Sequence, residues 1–174
     1  MAAARSARLL LAASLAAVTA CSNDNTPTTP KTSGQPPGVM TALVDGAAWS
    51  AGGVAGSPAG ADLDTTGAIL IVGHRIFANG SGSNITLHVE AFVGPGTYTL
   101  RTGALSGARA IFASYTTALD TTKFATDATH TGTFTVTSFD PLYRSVKGTF
   151  SFAGYDAVGA VVSNVTSGVF DVSF

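Results

Sequence analysis

The chain has 174 residues, nine of them Lys or Arg and ten Asp or Glu, for a net charge of −1. With only 11% charged residues there is no basic stripe to follow a nucleic-acid backbone. A single cysteine excludes an internal disulfide and any multi-cysteine metal site.

Residues 1–20 read as a lipoprotein signal peptide. Arg5 and Arg8 precede an apolar stretch at 9–17, and Val18-Thr19-Ala20 supplies small residues just before Cys21. The apolar stretch is too short for a helical span, which needs about 20 residues. A cysteine directly after the cut is what distinguishes a lipoprotein signal, because its thiol takes the lipid. The expectation is therefore lipidation at Cys21, with two or more acyl chains giving stable attachment. That places the protein in a bacterial cell envelope. Ser22 stands where many lipoproteins kept at the inner membrane carry aspartate, which favours the outer membrane.

Residues 21–38 form the lipidated cysteine and a tether. After Cys21 this segment has no aliphatic or aromatic side chain, and Pro27, Pro30, Pro36 and Pro37 stiffen it. Residues 39–174 then make one domain, long enough for a real core.

That domain has the period-two pattern of strands, with no helical period. Val39–Val44 leads into Asp45-Gly46, a strong hairpin signal, and then Ala47–Ala51 with Trp49. An Ile/Val/Leu run fills 67–77 and turns at Asn79-Gly80-Ser81-Gly82. Ile85, Leu87, Val89, Ala91 and Val93 then alternate with Thr86, His88, Glu90 and Phe92. Gly94-Pro95-Gly96 forces a turn before a strand at 97–100. Further strands are expected at 108–118, 121–126, 133–139, 145–155 and 161–174, the last interrupted near Ser167-Gly168. Eight to ten strands on short turns predict an all-β, antiparallel sandwich or small barrel. Trp49, Ile69, Ile71, Leu87, Val89, Phe134, Phe150, Phe152, Phe170, Val172 and Phe174 are the expected core.

The order of motifs resembles a family of bacterial lipoproteins of unknown function. Its marks here are the lipobox, the polar linker and Val44-Asp45-Gly46-Ala47-Ala48-Trp49. Gly96-Thr97-Tyr98, Gly132-Thr133-Phe134, Gly148-Thr149-Phe150-Ser151-Phe152 and Gly168-Val169-Phe170-Asp171-Val172 complete them. The resemblance implies an all-β fold and no catalytic residues.

Candidate chemistry is sparse. His88 and Glu90 share a strand face and would start a zinc site if His74 or His130 joined them. The alternative is a polar outer face. Asp62-Leu63-Asp64-Thr65-Thr66-Gly67 has the opening spacing of a calcium loop, but its twelfth position is Gly73 where a glutamate is needed. A plain turn is the alternative. Ser57, Ser106 and Ser114 lack a nucleophile-elbow context, and Glu90 is the only glutamate for glycoside chemistry. Asn79, Asn84 and Asn164 begin Asn-x-Ser/Thr triplets but read as turn and strand residues. Phe170, Val172 and Phe174 alternate to the last residue, as in membrane barrels, or as a final core strand.

The reading is a non-enzymatic binding or interaction module, without cofactor or metal. Its candidate partners are the membrane through the lipid, and an envelope glycan, a protein or a small apolar ligand. The candidate binding loops are 55–66, 79–83, 102–107 and 119–131, with Phe124 and Tyr143 as the aromatic contacts. The alternatives are a structural envelope component and a metal-dependent enzyme.

Overall fold

A computed structural model describes residues 38–53, 57–101, 107–117 and 120–174. The leader, Cys21 and the tether up to residue 37 lie outside them. The described chain is all-β. Its strands are β1 (Val39–Val44), β2 (Ala47–Ala51), β3 (Ala59–Leu63), β4 (Ile69–Ile76), β5 (Gly82–Val89) and β6 (Gly96–Leu100). They continue as β7 (Ala108–Thr117), β8 (Asp120–Ala125), β9 (Gly132–Asp140), β10 (Ser145–Asp156) and β11 (Val161–Ser173).

These strands form one sheet in the order β2-β1-β11-β10-β9-β6-β7-β5-β4-β3, with β8 bridging β10 and β7. The sheet curls around a single core but is not closed: β2 and β3 end the path without pairing. Pairing is antiparallel throughout except for one parallel bridge, Leu100↔Ala108, between β6 and β7. That bridge arises because β7 is shared. Its first residues meet β6, while Ile111–Thr117 pair with β8.

Two sequence expectations need correction. There are eleven strands, because β3 lies inside the expected loop at 55–66. Its Ala-Gly-Ala-Asp-Leu sequence has no β-branched or aromatic residue, and only the ladder from Ala59↔Gly73 to Leu63↔Ile69 makes it a strand. The fifth strand also stops at Val89, so the alternation does not reach Val93, which is 88% exposed. After the turn at Glu90-Ala91 it is Phe92 that packs on the core, against Phe139 with ring centroids 5.0 Å apart.

The motifs turn out to be folding devices. Asp45 and Gly46 both have positive φ, 49° and 82°, as a two-residue hairpin turn of this hand requires. The Asp45 carboxylate then accepts hydrogen bonds from Ser163 Oγ (2.8 Å) and the Asn164 N–H (2.7 Å), pinning the hairpin to β11. Trp49 is buried and donates its indole N–H to Ser83 Oγ on β5, 2.8 Å away. Tyr98 donates its hydroxyl to Gly94 O at 2.6 Å and so ties down the Gly94-Pro95-Gly96 turn.

The Gly-x-Phe repeats interlock across strands. Gly132 is paired with Phe152, Gly148 with Phe170 and Gly168 with Phe150. A methyl group on Gly148 would lie 2.5 Å from Phe170 Cζ, and one on Gly168 would lie 2.6 Å from the Phe150 ring. The Phe170 and Phe150 rings therefore lie over glycines that have no side chain to obstruct them. Phe134 and Phe170 stack in the centre at 5.2 Å. Phe174, expected in the core, lies at its margin, half-buried and stacked on Phe139 at 5.4 Å.

Inward positions are mostly apolar, whereas Thr97, Thr99, Thr133, Thr137 and Thr149 face solvent. A spanning barrel has the opposite polarity. The alternating C-terminal strand is thus a core strand. It also carries a bulge: between Phe150↔Gly168 and Phe152↔Val165, β11 has one extra residue. The same irregularity is felt by β1, between Thr41↔Val169 and Leu43↔Thr166. Ser167 occupies the bulge at φ 53°, a conformation that costs a non-glycine residue roughly 1–2 kcal/mol.

Candidate functional site

The expected metal ligands do not converge. His88 on β5 is opposite Leu70, and His74 on β4 is opposite Asn84, so three register rows lie between them. His88 instead has Arg109 as its neighbour on β7, and its Nδ1 is buried without a hydrogen-bond partner. Glu90 accepts from the Gly107 N–H at 3.4 Å. His130 lies in the turn before β9. Among the described residues, no three His, Cys, Asp or Glu side chains form a group able to hold a metal.

The acidic residues are mostly turn-builders. Asp64 Oδ1 accepts from the Thr66 N–H (2.8 Å), Thr66 Oγ1 (2.7 Å) and the Ala68 N–H (2.8 Å). These bonds, the Thr66 hydroxyl foremost, hold its pKa below the usual carboxylate value. Asp140 Oδ1 accepts from the Leu142 and Tyr143 N–H groups, and Asp156 from those of Val158 and Gly159. Asp171 instead pairs with Lys147 across β10 and β11, and among the described residues Asp62 caps no turn. It borders a shallow groove of about 300 Å³ on the outer side of β3 and β4, with Pro58, Leu70, Val72 and His74.

The remaining sequence candidates also have places in the fold. Ser57 is buried and its Oγ accepts from the Ile76 N–H at 3.1 Å. Ser106 and the Ser114 side chain lie outside the described residues. Asn79 caps its own turn by accepting from Ser81. Asn84 is in β5, and Asn164 is the Asp45 partner already described. Tyr143 is exposed, while Phe124 is half-buried in β8 beside Gly154.

One polar cluster escaped sequence reading. Asp127 accepts from the His130 N–H (2.6 Å), from Thr129 N–H (2.7 Å) and from Thr129 Oγ1 (2.9 Å). Its other oxygen is 2.9 Å from His130 Nδ1. The His130 backbone bond is the largest cause that drives the Asp127 pKa far below the ordinary 3.8. The His130 ring lies flat on Tyr155, centroids 4.7 Å apart. The signal available in the sequence was Asp-x-Thr-His, an aspartate placed to cap a turn and meet a histidine three residues on.

A second groove, of mixed chemistry, also escaped. It is a groove of about 550 Å³ over the β1–β2 hairpin, next to the gap between the two ends of the sheet. Ala48, Leu43 and the backbone around Trp49 make its floor. Thr41 and Ser50 supply hydroxyls from paired positions, and Ser167 supplies a third from the β11 bulge. Arg75 enters from β4. Its Nη1 donates to Ala48 O at 3.0 Å, and its guanidinium lies 4.9 Å from the Phe77 ring centroid. Among the described residues no carboxylate is within ion-pair distance of Arg75, and none lines the groove. The arrangement is one of a fixed cation facing hydroxyl groups.

No curated protein and no solved structure matches the chain. A family model does match, over residues 37–172, which is the whole β domain but for its last two residues. The chain therefore belongs to the family described as a domain of unknown function, DUF6252.

Proposed function

We propose that the protein is a membrane-anchored, non-enzymatic binding module of the bacterial cell envelope. Acyl chains on Cys21 hold it, the Pro/Thr-rich tether carries the domain clear of the lipid, and Ser22 directs it to the outer membrane. The observation that best supports binding is the division of labour among the residues. Asp45, Trp49, Tyr98 and the Gly–Phe pairs are occupied in building the sheet. Arg75 bonds Ala48 O through Nη1 alone, and the rest of its guanidinium and the neighbouring hydroxyls line a groove with no carboxylate partner among the described residues. A rigid β scaffold that presents such groups at its surface is suited to recognition.

The test has two parts. Wild-type protein and C21S are expressed in bacteria, fractionated, and the N-terminal peptide weighed. Acylated wild type in the membrane and a released C21S variant are expected; an unmodified native thiol would remove the anchor. The full-length protein in detergent is then screened against envelope glycans, lipids and proteins. Retention of at least one class is expected, and a blank screen would count against the binding reading.

A further inference from the structure

We infer that the Arg75 groove is a binding site for a carboxylate-bearing saccharide. The inference rests on the binding reading above and names the ligand class. Three observations carry it.

Arg75 is pre-oriented. Its Nη1 edge is fixed on Ala48 O and its face on Phe77, so the Nε–H and Nη2–H pair remains as the open fork. That edge matches a carboxylate bidentately, and with no protein carboxylate nearby an incoming anion finds no internal competitor. Ser167 is the second observation. A non-glycine residue with φ 53° in a bulge is a backbone outlier, and here the bulge makes Thr166 and Ser167 both face solvent. Bulges of this kind re-aim a side chain, and strain kept at one position points to use of that position. The third is the lining. Thr41, Ser50 and Ser167 each both donate and accept, as sugar hydroxyls do, whereas Trp49 is only 4% exposed and offers no ring for stacking. A groove of this size lies within the range of small-ligand clefts, and being open on one side it accepts one unit of a longer chain.

The test uses full-length protein in detergent. Tri-galacturonate and its uncharged methyl ester are titrated while the Arg75 Nε–H resonance is followed by NMR. The acid is expected to shift that resonance and the ester to leave it in place. In R75Q the affinity for the acid should fall at least tenfold, the scale of a lost charge-assisted hydrogen bond. R75K, which keeps the charge without the fork, should lie between. S167G should weaken binding several-fold while its melting temperature holds or rises, since glycine accepts the positive φ.

Equal affinity for acid and ester, or an unchanged R75Q, overturns the inference. So does inorganic phosphate that displaces the trimer better than acetate does, because the anion preferred would then be a phosphate. A neutral glycan bound without any Arg75 shift overturns the inference yet leaves the binding module standing.

Discussion

At the scale of single residues, side chains that look chemical are working as braces. Asp45 is the clearest case. Its two carboxylate oxygens join a turn at the start of the domain to a strand near its end. D45A should therefore destabilise the domain by about 1–3 kcal/mol, the usual cost of leaving such partners unmatched, read as a lowered urea midpoint at unchanged slope. Ser83 is a second brace. In S83A the indole N–H of the only tryptophan is left buried without its acceptor, at a cost of about 1–3 kcal/mol. Trp49 fluorescence reports both unfolding curves. Asp127 gives a pH prediction. Its folded pKa is depressed, so its contribution is fully present above the ordinary value of 3.8 and is lost as pH falls toward the folded value. Melting temperatures of wild type and D127N should differ at pH 6 and converge as pH approaches 2. Curves that stay parallel would show that the turn does not depend on this charge.

At the scale of elements, the strand pattern was readable wherever one face of a strand is apolar. Alternation located most of the strands, because in β4, β5, β9, β10 and β11 an inward Phe, Ile, Leu or Val recurs along one face; β2 was marked by its hairpin turn and Trp49, and β8 only by its short polar run. β3 left none: its inward positions are Ala and Leu beside a glycine, and it depends on its neighbour. The bulge in β11 announced itself as Ser167-Gly168, though as an interruption and not as an extra residue in a continuous strand. The candidate site was not legible at all. Arg75, Thr41, Ser50 and Ser167 come from four strands, and only the register places them together. His74 and His88 show the converse, for their strands are paired neighbours and register still keeps the two apart. The Gly–Phe pairs yield the prediction at this scale. G168A should cost about 1–3 kcal/mol or more by overpacking against Phe150. In the G168A/F150L double variant part of that cost should be returned, giving a coupling of about 0.5–3 kcal/mol in a double-mutant cycle. Strict additivity would mean that ring and glycine do not share the space.

At the scale of the whole molecule, stability should be uneven around the sheet. β10 and β11 pair along their whole length, and their rings form the centre of the core. β2 and β3 each have one ladder neighbour, and the gap beside β2 is spanned by side chains, Arg75 to Ala48 O and Trp49 to Ser83. Amide hydrogen exchange should therefore be slowest in β10 and β11 and faster by orders of magnitude in β2 and β3, which open with less loss of contact. Uniform protection would indicate that the ends are held as firmly as the middle. The unjoined margins have one more effect. A closed barrel has its girth fixed by strand number and stagger. Here no continuous row of amide bonds sets the circumference, so the wall beside Arg75 can dilate by giving up two side-chain bonds, the single Gly52–Ser57 backbone bond and the packing of Trp49 on Gly73. Fit at that margin would then depend on how far an occupant wedges it apart, and ligands of unequal width would register as unequal strain on the same arginine.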